Sequence, residues 1–231
     1  SIIILYKVLT GGICMGSYLN PGNFSFRGSL RSKIYIDKSE LIAKTNEVLC
    51  TEQKYICVSR PRRFGKSMAA NMLAAYYDRS ENTEDLFQNL AIGKDESYKE
   101  HLNQYDVIKI NMQEFLSMSG TMEEMLEMLK KYLVSDFEET YPEVRFRDEK
   151  NLIQIMKDVF SYTKCPFVIL IDEWDCLFRE YKQDKEAQRK YLDFLRAWLK
   201  DKDYVAMAYM TGILPIKKYG SHSALNMFTE Y

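Results

Sequence analysis

The chain has 231 residues, of which 46% are hydrophobic and 28% are charged, a balance that is ordinary for a globular domain with a buried core. The formal net charge of −1 gives no bulk basicity, so the composition does not indicate nucleic acid as a partner. The five cysteines contain no C-x-x-C pair and the two histidines have no metal-ligand spacing, which argues against a disulfide framework and a zinc site. We therefore expect reduced, buried thiols in a cytoplasmic protein.

The N-terminus begins with an apolar stretch, SIIILYKVL, at residues 1–9. It is shorter than the roughly 20 residues that a membrane-spanning helix needs, and it lacks the basic start and cleavage site of a signal peptide. We therefore predict no membrane segment. We interpret residues 1–14 as a non-native extension, with Met15 as the true start of a domain over residues 15–231.

A short apolar run, YICVS at residues 55–59, predicts the first strand, and MAANMLAAYY at residues 68–77 predicts a helix. Between them lies SRPRRFGKS, which ends like the phosphate-binding pattern G-x-x-x-x-G-K-[ST]. Arg60 stands where that pattern has its first glycine. Because Pro61 favours an extended Arg60, a loop that opens by another turn can still bind phosphate.

The loop residues receive roles from their chemistry. Gly65 lets the backbone approach a phosphate, and the amides of residues 63–67 would point at its oxygens. Lys66 would reach the β- and γ-phosphates, and Ser67 would bind Mg²⁺ through its hydroxyl. The candidate nucleotide-binding residues here are Arg60, Arg62, Arg63, Phe64, Gly65, Lys66 and Ser67. The alternative for this stretch is a solvated basic turn.

The middle of the chain alternates strands with helices. A polar, acidic segment at residues 80–104 precedes the predicted strand DVIKINM at residues 106–112. Thr121 and Glu124 form a capping box for TMEEMLEMLKKYL, whose methionines and leucines make one apolar face that we assign to the core. NLIQIMKDVFSY at residues 151–162 predicts a further amphipathic helix.

FVILID at residues 167–172 is an apolar strand that ends in two acidic residues, the arrangement of a Walker B motif. Asp172 would bind Mg²⁺, and Glu173 would act as the general base for the attacking water. The alternative is an ordinary acidic turn at a strand end. A helix at residues 184–200 and a strand at residues 204–212 follow.

Alternating strands and helices predict an α/β domain. Both motifs follow strands, and the carboxyl ends of parallel strands meet at one edge of a sheet, where ligands bind. We therefore predict a P-loop NTPase fold, a three-layer αβα arrangement with a mostly parallel sheet, that binds ATP and Mg²⁺.

The segments YIDKSELI, RPRRFGKS, VILIDEWD and TGILPIKKYGSHSALNMF together resemble the bacterial AAA-ATPase-like family, from about Gly16 to Tyr231. The resemblance implies that arginine at the first loop glycine is a family feature. It also implies that Thr211 is a sensor of the γ-phosphate, although a hydroxyl that caps a turn is the alternative. Members typically carry a nuclease-like region after the ATPase part.

The chain departs from the family at its end, because four strands are found and no fifth core strand, helical lid or nuclease-like region follows. We therefore expect a fragment whose core lacks its C-terminal part. An ATPase that drives an effector and a nucleotide-gated switch with negligible turnover both stay open, as does a homo-oligomer. A GTPase is disfavoured because no N-K-x-D follows a strand. The arginine that promotes hydrolysis is also open among Arg62, Arg63, Arg179, Arg189 and Arg196.

Overall fold

The computed structural model describes residues 16–219 and 224–231. Its centre is a sheet with the strand order β2-β3-β4-β1-β5, in which every pair of neighbouring strands is parallel. The strands are β1 (Tyr55–Ser59), β2 (Asp106–Asn111), β3 (Phe167–Asp172), β4 (Val205–Gly212) and β5 (Thr229–Glu230). The predicted parallel α/β architecture is therefore confirmed. The interpretation of residues 1–14 as an extension lies outside the described residues.

The helices alternate with these strands along the chain. They are α1 (Phe24–Leu30), α2 (Glu40–Asn46), α3 (Lys66–Tyr77), α4 (Glu84–Phe87), α5 (Tyr98–His101), α6 (Met112–Ser117), α7 (Met122–Thr140), α8 (Leu152–Thr163), α9 (Cys176–Glu180), α10 (Lys185–Leu199) and α11 (Ile216–Tyr219), with a 3₁₀ turn at Ala91–Lys94. Of the helices in the described part of the chain, none has both the length and the apolar character needed to cross a bilayer.

The helices cover both faces of the sheet and make three layers. All six residues of β3 are buried, as expected for a central strand of a parallel sheet. Ile169 and Ile171 pack in a core cluster with residues of α6, α7, α8 and α10. Val168 and Leu170 point to the other face and pack with residues of α1, α2 and α3. Because side chains alternate along a strand, one apolar segment serves both cores.

The predicted cap of α7 is present, with one change of partner. The Thr121 hydroxyl accepts from the Glu124 amide at 3.1 Å, while the Glu124 carboxylate accepts from the amide of Gly120 at 2.7 Å. Met122 and Met125 on the apolar face are buried in the core, as predicted.

The expectation of no fifth core strand is wrong. Thr229 and Glu230 form β5, which pairs with β1 on the side away from β4. The Tyr231 amide donates to the Cys57 carbonyl at 2.9 Å, and the Ser59 amide donates to the Tyr231 carbonyl at 3.0 Å. A two-residue strand in a polar context has no periodicity that sequence patterns can detect.

Candidate functional site

The carboxyl ends of four strands meet at one edge of the sheet. Asn111 at the end of β2 is in register with Asp172 at the end of β3, and Ser59 at the end of β1 is in register with Gly212 at the end of β4. β4 lies between β1 and β3. The sheet therefore brings the loop after β1 and the acidic end of β3 to the same edge, although about 100 residues separate them in the chain.

The loop after β1 ends at Gly65, which lies in the left-handed region at φ 78° and precedes the first residue of α3. Arg63 is also left-handed, at φ 70°, whereas Arg60 is not among the residues with positive φ. No side chain caps the N-terminus of α3. Because the first amides of a helix have no intrahelical acceptor, this end of α3 offers hydrogen-bond donors and partial positive charge to an anion.

Lys66 turns back over the loop. Its ammonium donates to the carbonyl oxygens of Arg60 and Pro61 at 2.7 and 2.9 Å, and the residue is only 9% exposed. An ammonium group has three donors, so one N–H remains for a ligand. These two hydrogen bonds hold the positive charge of Lys66 next to the start of the loop.

Asp172 and Ser67 are in direct contact. The Ser67 hydroxyl donates to Oδ2 of Asp172 at 2.5 Å, and the Thr211 hydroxyl donates to Oδ1. The Glu173 amide donates to the same Oδ1 at 3.0 Å. Asp172 is 5% exposed, and no cation of the described residues forms an ion pair with it. The described donors to Asp172 are all neutral, so its carboxylate oxygens are suited to bind a cation.

Two titratable side chains near Asp172 have shifted pKa values: Lys109, which is half-buried, and Tyr209, which is buried. Burial lowers the pKa of the Lys109 ammonium, and the carboxylates of Asp172 and Glu114 oppose that shift. Burial raises the pKa of the Tyr209 phenol, and the charge of Asp172 adds to the increase. For both side chains burial is the larger cause of the pKa shift and the nearby carboxylate is a smaller one.

Ser67 and Asp172 fit a Mg²⁺ ion that binds together with the phosphates of a nucleotide. Within the described residues there is no cluster of three or more His, Cys, Asp or Glu side chains that could hold a metal alone. Mg²⁺ at phosphate sites is typically held by one or two protein oxygens, with phosphate and water completing its shell. Ser67 and Asp172 supply such a pair of oxygens.

Glu173 follows directly and is left-handed at φ 54°, so the chain turns sharply at the end of β3. Its Oε2 accepts a hydrogen bond from Nη2 of Arg179, on α9. The same Nη2 donates to the side-chain oxygen of Gln113 at 3.3 Å. Among the residues that the structure describes, no hydrogen-bond donor contacts Oε1 of Glu173, so this oxygen can accept a hydrogen bond from water or a ligand.

An open cavity of about 590 Å³ lies over this edge. Its walls carry four cationic side chains and two carboxylates, which suits an anionic ligand with its metal. The lining residues are Arg62, Arg63, Gly65, Lys66, Ser67, Met68, Asn111, Gln113, Glu173, Arg179 and Glu180. Asp172 lies beneath this cavity, bonded to Ser67.

A second cavity of about 480 Å³ lies on the other side of the same loop. Apolar residues of β1 and α2, among them Ile56, Val58 and Leu41, form much of its wall. Arg60 and Phe64 line this second cavity and not the first, while Gly65 and Lys66 line both. The loop therefore separates a charged space from a largely apolar one.

The structure brings the predicted site residues together at this edge of the sheet, and all but Asp172 and Thr211 line one of the two cavities. Thr211 is fully buried and does not line the first cavity, so its hydroxyl contacts Asp172 instead of open space. Sequence analysis did not assign Asn111 or Gln113 to the site. Asn111 could have been found as the polar end of a predicted strand, whereas Gln113 depends on how α6 packs.

A model of the AAA-ATPase-like family, described as predicted AAA-ATPase, matches residues 26–221 of this chain. No curated protein matches the chain in a sequence comparison. The family model covers most of the 231 residues and spans the loop, the acidic end of β3 and β4. The chain therefore belongs to the predicted AAA-ATPase-like family.

Proposed function

We propose that this chain is a Mg²⁺-dependent ATP-binding domain that hydrolyses ATP to ADP and phosphate. The observation that carries the proposal is the 2.5 Å hydrogen bond between Ser67 of the loop and Asp172 of β3. It joins two oxygens from separate motifs at the one place where a nucleotide-bound metal ion would need both. A solvated basic turn or a simple acidic strand end would not require this contact.

In this proposal each of the two cavities holds a different part of the nucleotide. The triphosphate would lie in the charged cavity, where the N-terminus of α3 and Lys66 face it. The adenosine would lie in the largely apolar cavity beyond the loop, against Ile56 and Phe64. Gly65 and Lys66 line both spaces, so a single ligand can contact the loop from both sides.

Glu173 is the general base in this proposal. Its free oxygen Oε1 accepts a proton from a water molecule, and the water oxygen forms a bond to the γ-phosphorus. The bond from the γ-phosphorus to the bridging oxygen breaks, and ADP leaves with the electron pair. Mg²⁺ would supply charge neutralisation of the phosphate oxygens when bound. Lys66 adds a fixed cation that faces the triphosphate.

From the family resemblance we also propose that hydrolysis drives an effector such as a nuclease-like region. A nucleotide-gated switch with negligible turnover is the second candidate. It stays open because the contacts of Lys66 with the loop and of Ser67 with Asp172 concern nucleotide and metal binding and do not require turnover.

Two neighbouring substitutions test the assignment and separate the candidates. Glu173→Gln keeps the size of the side chain but cannot accept a proton, so phosphate release should fall by roughly 10²-fold or more while Mg-ATP affinity stays near normal. Asp172→Asn should instead weaken the dependence of ATP binding on Mg²⁺. Titration of Mg-ATP and single-turnover phosphate release measure both effects.

The outcomes of this pair differ for each candidate. If wild type binds Mg-ATP tightly but releases no phosphate, the switch is correct and the ATPase is not. If wild type hydrolyses ATP and Glu173→Gln does so at the same rate, the assignment of the base is wrong. Equal Mg²⁺ dependence in Asp172→Asn and wild type would remove Asp172 from the metal site.

A further inference from the structure

One arginine of the described residues contacts the proposed base. Nη2 of Arg179 bonds Oε2 of Glu173, and Nε of Arg179 lies 3.5 Å from Oδ1 of Asp175. The second contact is within ion-pair distance but does not have hydrogen-bond geometry, so both atoms lack a hydrogen-bond partner. The Arg179 side chain is 17% exposed, which makes these two carboxylates its main electrostatic environment.

Asp175 holds Arg179 in position from the side of β4. Asp175 is fully buried, and its Oδ2 accepts from the amides of Ile213 and Leu214 at 2.9 and 2.7 Å. Those amides follow β4, whose Thr211 holds Asp172. Asp175 is therefore anchored to the same strand that anchors the metal-binding carboxylate. Arg179, four residues later, sits over this anchor on α9.

Gln113 also contacts the guanidinium of Arg179. Gln113 accepts from Nη2 of Arg179 at 3.3 Å, and its own amide nitrogen donates to Glu180 at 2.6 Å. The planar guanidinium can meet several acceptors at fixed angles, so it sets the direction of the Glu173 carboxylate. Oε2 is bound to the arginine, and Oε1 is left for water.

We propose that Arg179 is a positioning residue for Glu173, one that aims the carboxylate at the attacking water through their hydrogen-bonded ion pair. This inference rests on the proposed ATP hydrolysis. Arg179 also neutralises a negative charge that would otherwise repel the terminal phosphate, since both line the same cavity. It therefore acts on the reaction through Glu173 rather than on the leaving group.

The other arginines do not meet these conditions. Arg62 and Arg63 line the charged cavity, but both are exposed and neither forms an ion pair within the described residues. Arg189 and Arg196 lie on α10 and are absent from the cavity wall. The structure thus selects Arg179 from the arginines that the sequence left open.

The test compares four proteins by steady-state kinetics: wild type, Arg179→Gln, Glu173→Gln and the double variant. Arg179→Gln should lower kcat for phosphate release by about 10- to 100-fold, the range typical when a partner that orients an active group is removed, with KM for Mg-ATP changed less than about threefold. Because Arg179 acts through Glu173, the double variant should be no slower than Glu173→Gln alone.

Two further variants keep the test interpretable. Arg179→Lys keeps the charge but loses the planar fork, so it should recover part of kcat, and it serves as the main variant if Arg179→Gln does not fold. Arg189→Gln removes an exposed arginine from α10 and should leave kcat and the melting temperature unchanged. Melting temperatures of all variants, measured without nucleotide, report whether each protein is folded.

Several results would overturn the inference. One is a kcat for Arg179→Gln that equals that of wild type, and another is a change in KM for Mg-ATP with no change in kcat. A third is a double variant whose decrease in kcat is the product of the two single decreases, which would place Arg179 directly on the phosphate. A wild type that binds Mg-ATP without turnover also overturns it and leaves nucleotide binding intact. A wild type that fails to bind Mg-ATP refutes the proposed function itself, so the two failures are distinguishable.

Discussion

Arg63 occupies a backbone conformation that arginine seldom adopts. Its φ of 70° is left-handed, whereas Arg60, at the position of the missing glycine, is not left-handed. A left-handed conformation costs a residue with a side chain about 1–2 kcal/mol, which glycine avoids. The positive φ angles of the loop therefore lie at Arg63 and Gly65, and not at the position where the standard pattern has its first glycine.

A matched pair of glycine substitutions tests this arrangement. Arg63→Gly relieves strain but adds unfolded-state entropy, so the free energy of unfolding should change by less than about 1 kcal/mol. Arg60→Gly relieves nothing and should lower the free energy of unfolding by about 0.5–1 kcal/mol, with no gain in ATP affinity. Urea unfolding and ATP titration measure both. Tighter ATP binding by Arg60→Gly would show that the arginine is a defect in a degraded loop.

Residues of the site could be predicted where a motif fixes their role. Gly65, Lys66, Ser67 and Asp172 follow from two short patterns, each placed after an apolar strand. The contact of Arg179 with Glu173 could not be predicted, because it depends on the sharp turn after β3 and on the direction of a five-residue helix. Nothing in the sequence spacing distinguishes Arg179 from the other candidate arginines.

At the scale of elements, the end of β4 is packed tightly against the turn after β3. A Cβ atom on Gly212 would lie 2.6 Å from Nε1 and 2.7 Å from Cδ1 of Trp174, which is fully buried. The Trp174 amide also donates to the Thr211 carbonyl at 3.1 Å. The close approach of these two segments keeps Thr211 within reach of Asp172.

Gly212→Ala should therefore destabilise the domain. Overpacking against a rigid indole should lower the free energy of unfolding by about 1–3 kcal/mol, and the displaced strand end should also weaken Mg²⁺-dependent ATP binding. Gly28→Ala is the control, because nothing lies within 4 Å of the added Cβ on α1. That change should be neutral or stabilising by up to about 1 kcal/mol. Equal stabilities for the two variants in urea unfolding would contradict this packing.

Elements with strong local signals could be predicted from sequence, and weak ones could not. The Thr121 cap and the apolar run of β3 are encoded within a few residues, so α7 and β3 appear where expected. β5 has two residues and forms only through its hydrogen bonds to β1, a contact between distant parts of the chain. The short helices α4 and α5 in the polar segment 80–104 depend on similar tertiary contacts.

For the whole molecule, the three-layer core should protect its thiols. Cys57, Cys165 and Cys176 are buried, and burial raises the pKa of Cys57 and of Cys176 to about 12. Cys50 is exposed. Since the thiolate is the reactive form, the buried thiols should react at pH 8 about 100-fold more slowly than Cys50, or slower still.

Labelling with a thiol-reactive dye, followed by peptide mass analysis, measures this difference. A Cys14→Ser background removes the cysteine outside the described residues. Denaturant should bring all remaining thiols to similar rates, because unfolding exposes them to solvent. Fast labelling of Cys57 in the folded protein would contradict the interior position of β1 in the sheet, between β4 and the edge strand β5.

The architecture of the whole molecule was predictable only in part. Alternation of strands and helices indicates a parallel sheet, because parallel strands need crossover connections. The order of the strands in the sheet could not be predicted, because sequence periodicity does not indicate which strands are neighbours. The position of β4 between β1 and β3 brings Thr211 to Asp172, and it emerges only from the folded structure.

The proposed nucleotide site depends most directly on Lys66, the cation that faces the triphosphate. The decisive measurement is the increase in melting temperature caused by Mg-ATP, compared between wild type, Lys66→Ala and Lys131→Ala. Each protein is its own reference, because Lys66 also bonds two loop carbonyls and its loss changes stability without nucleotide. Lys131 is exposed on α7, where alanine is a good helix former, so it controls for loss of charge.

We expect Mg-ATP to raise the melting temperature of wild type and of Lys131→Ala by the same amount. A charge-assisted contact is worth roughly 1.5–3 kcal/mol, so Lys66→Ala should bind Mg-ATP about 10- to 150-fold more weakly and lose most of the increase. An equal increase in Lys66→Ala and wild type would contradict the nucleotide site that we assign to this loop.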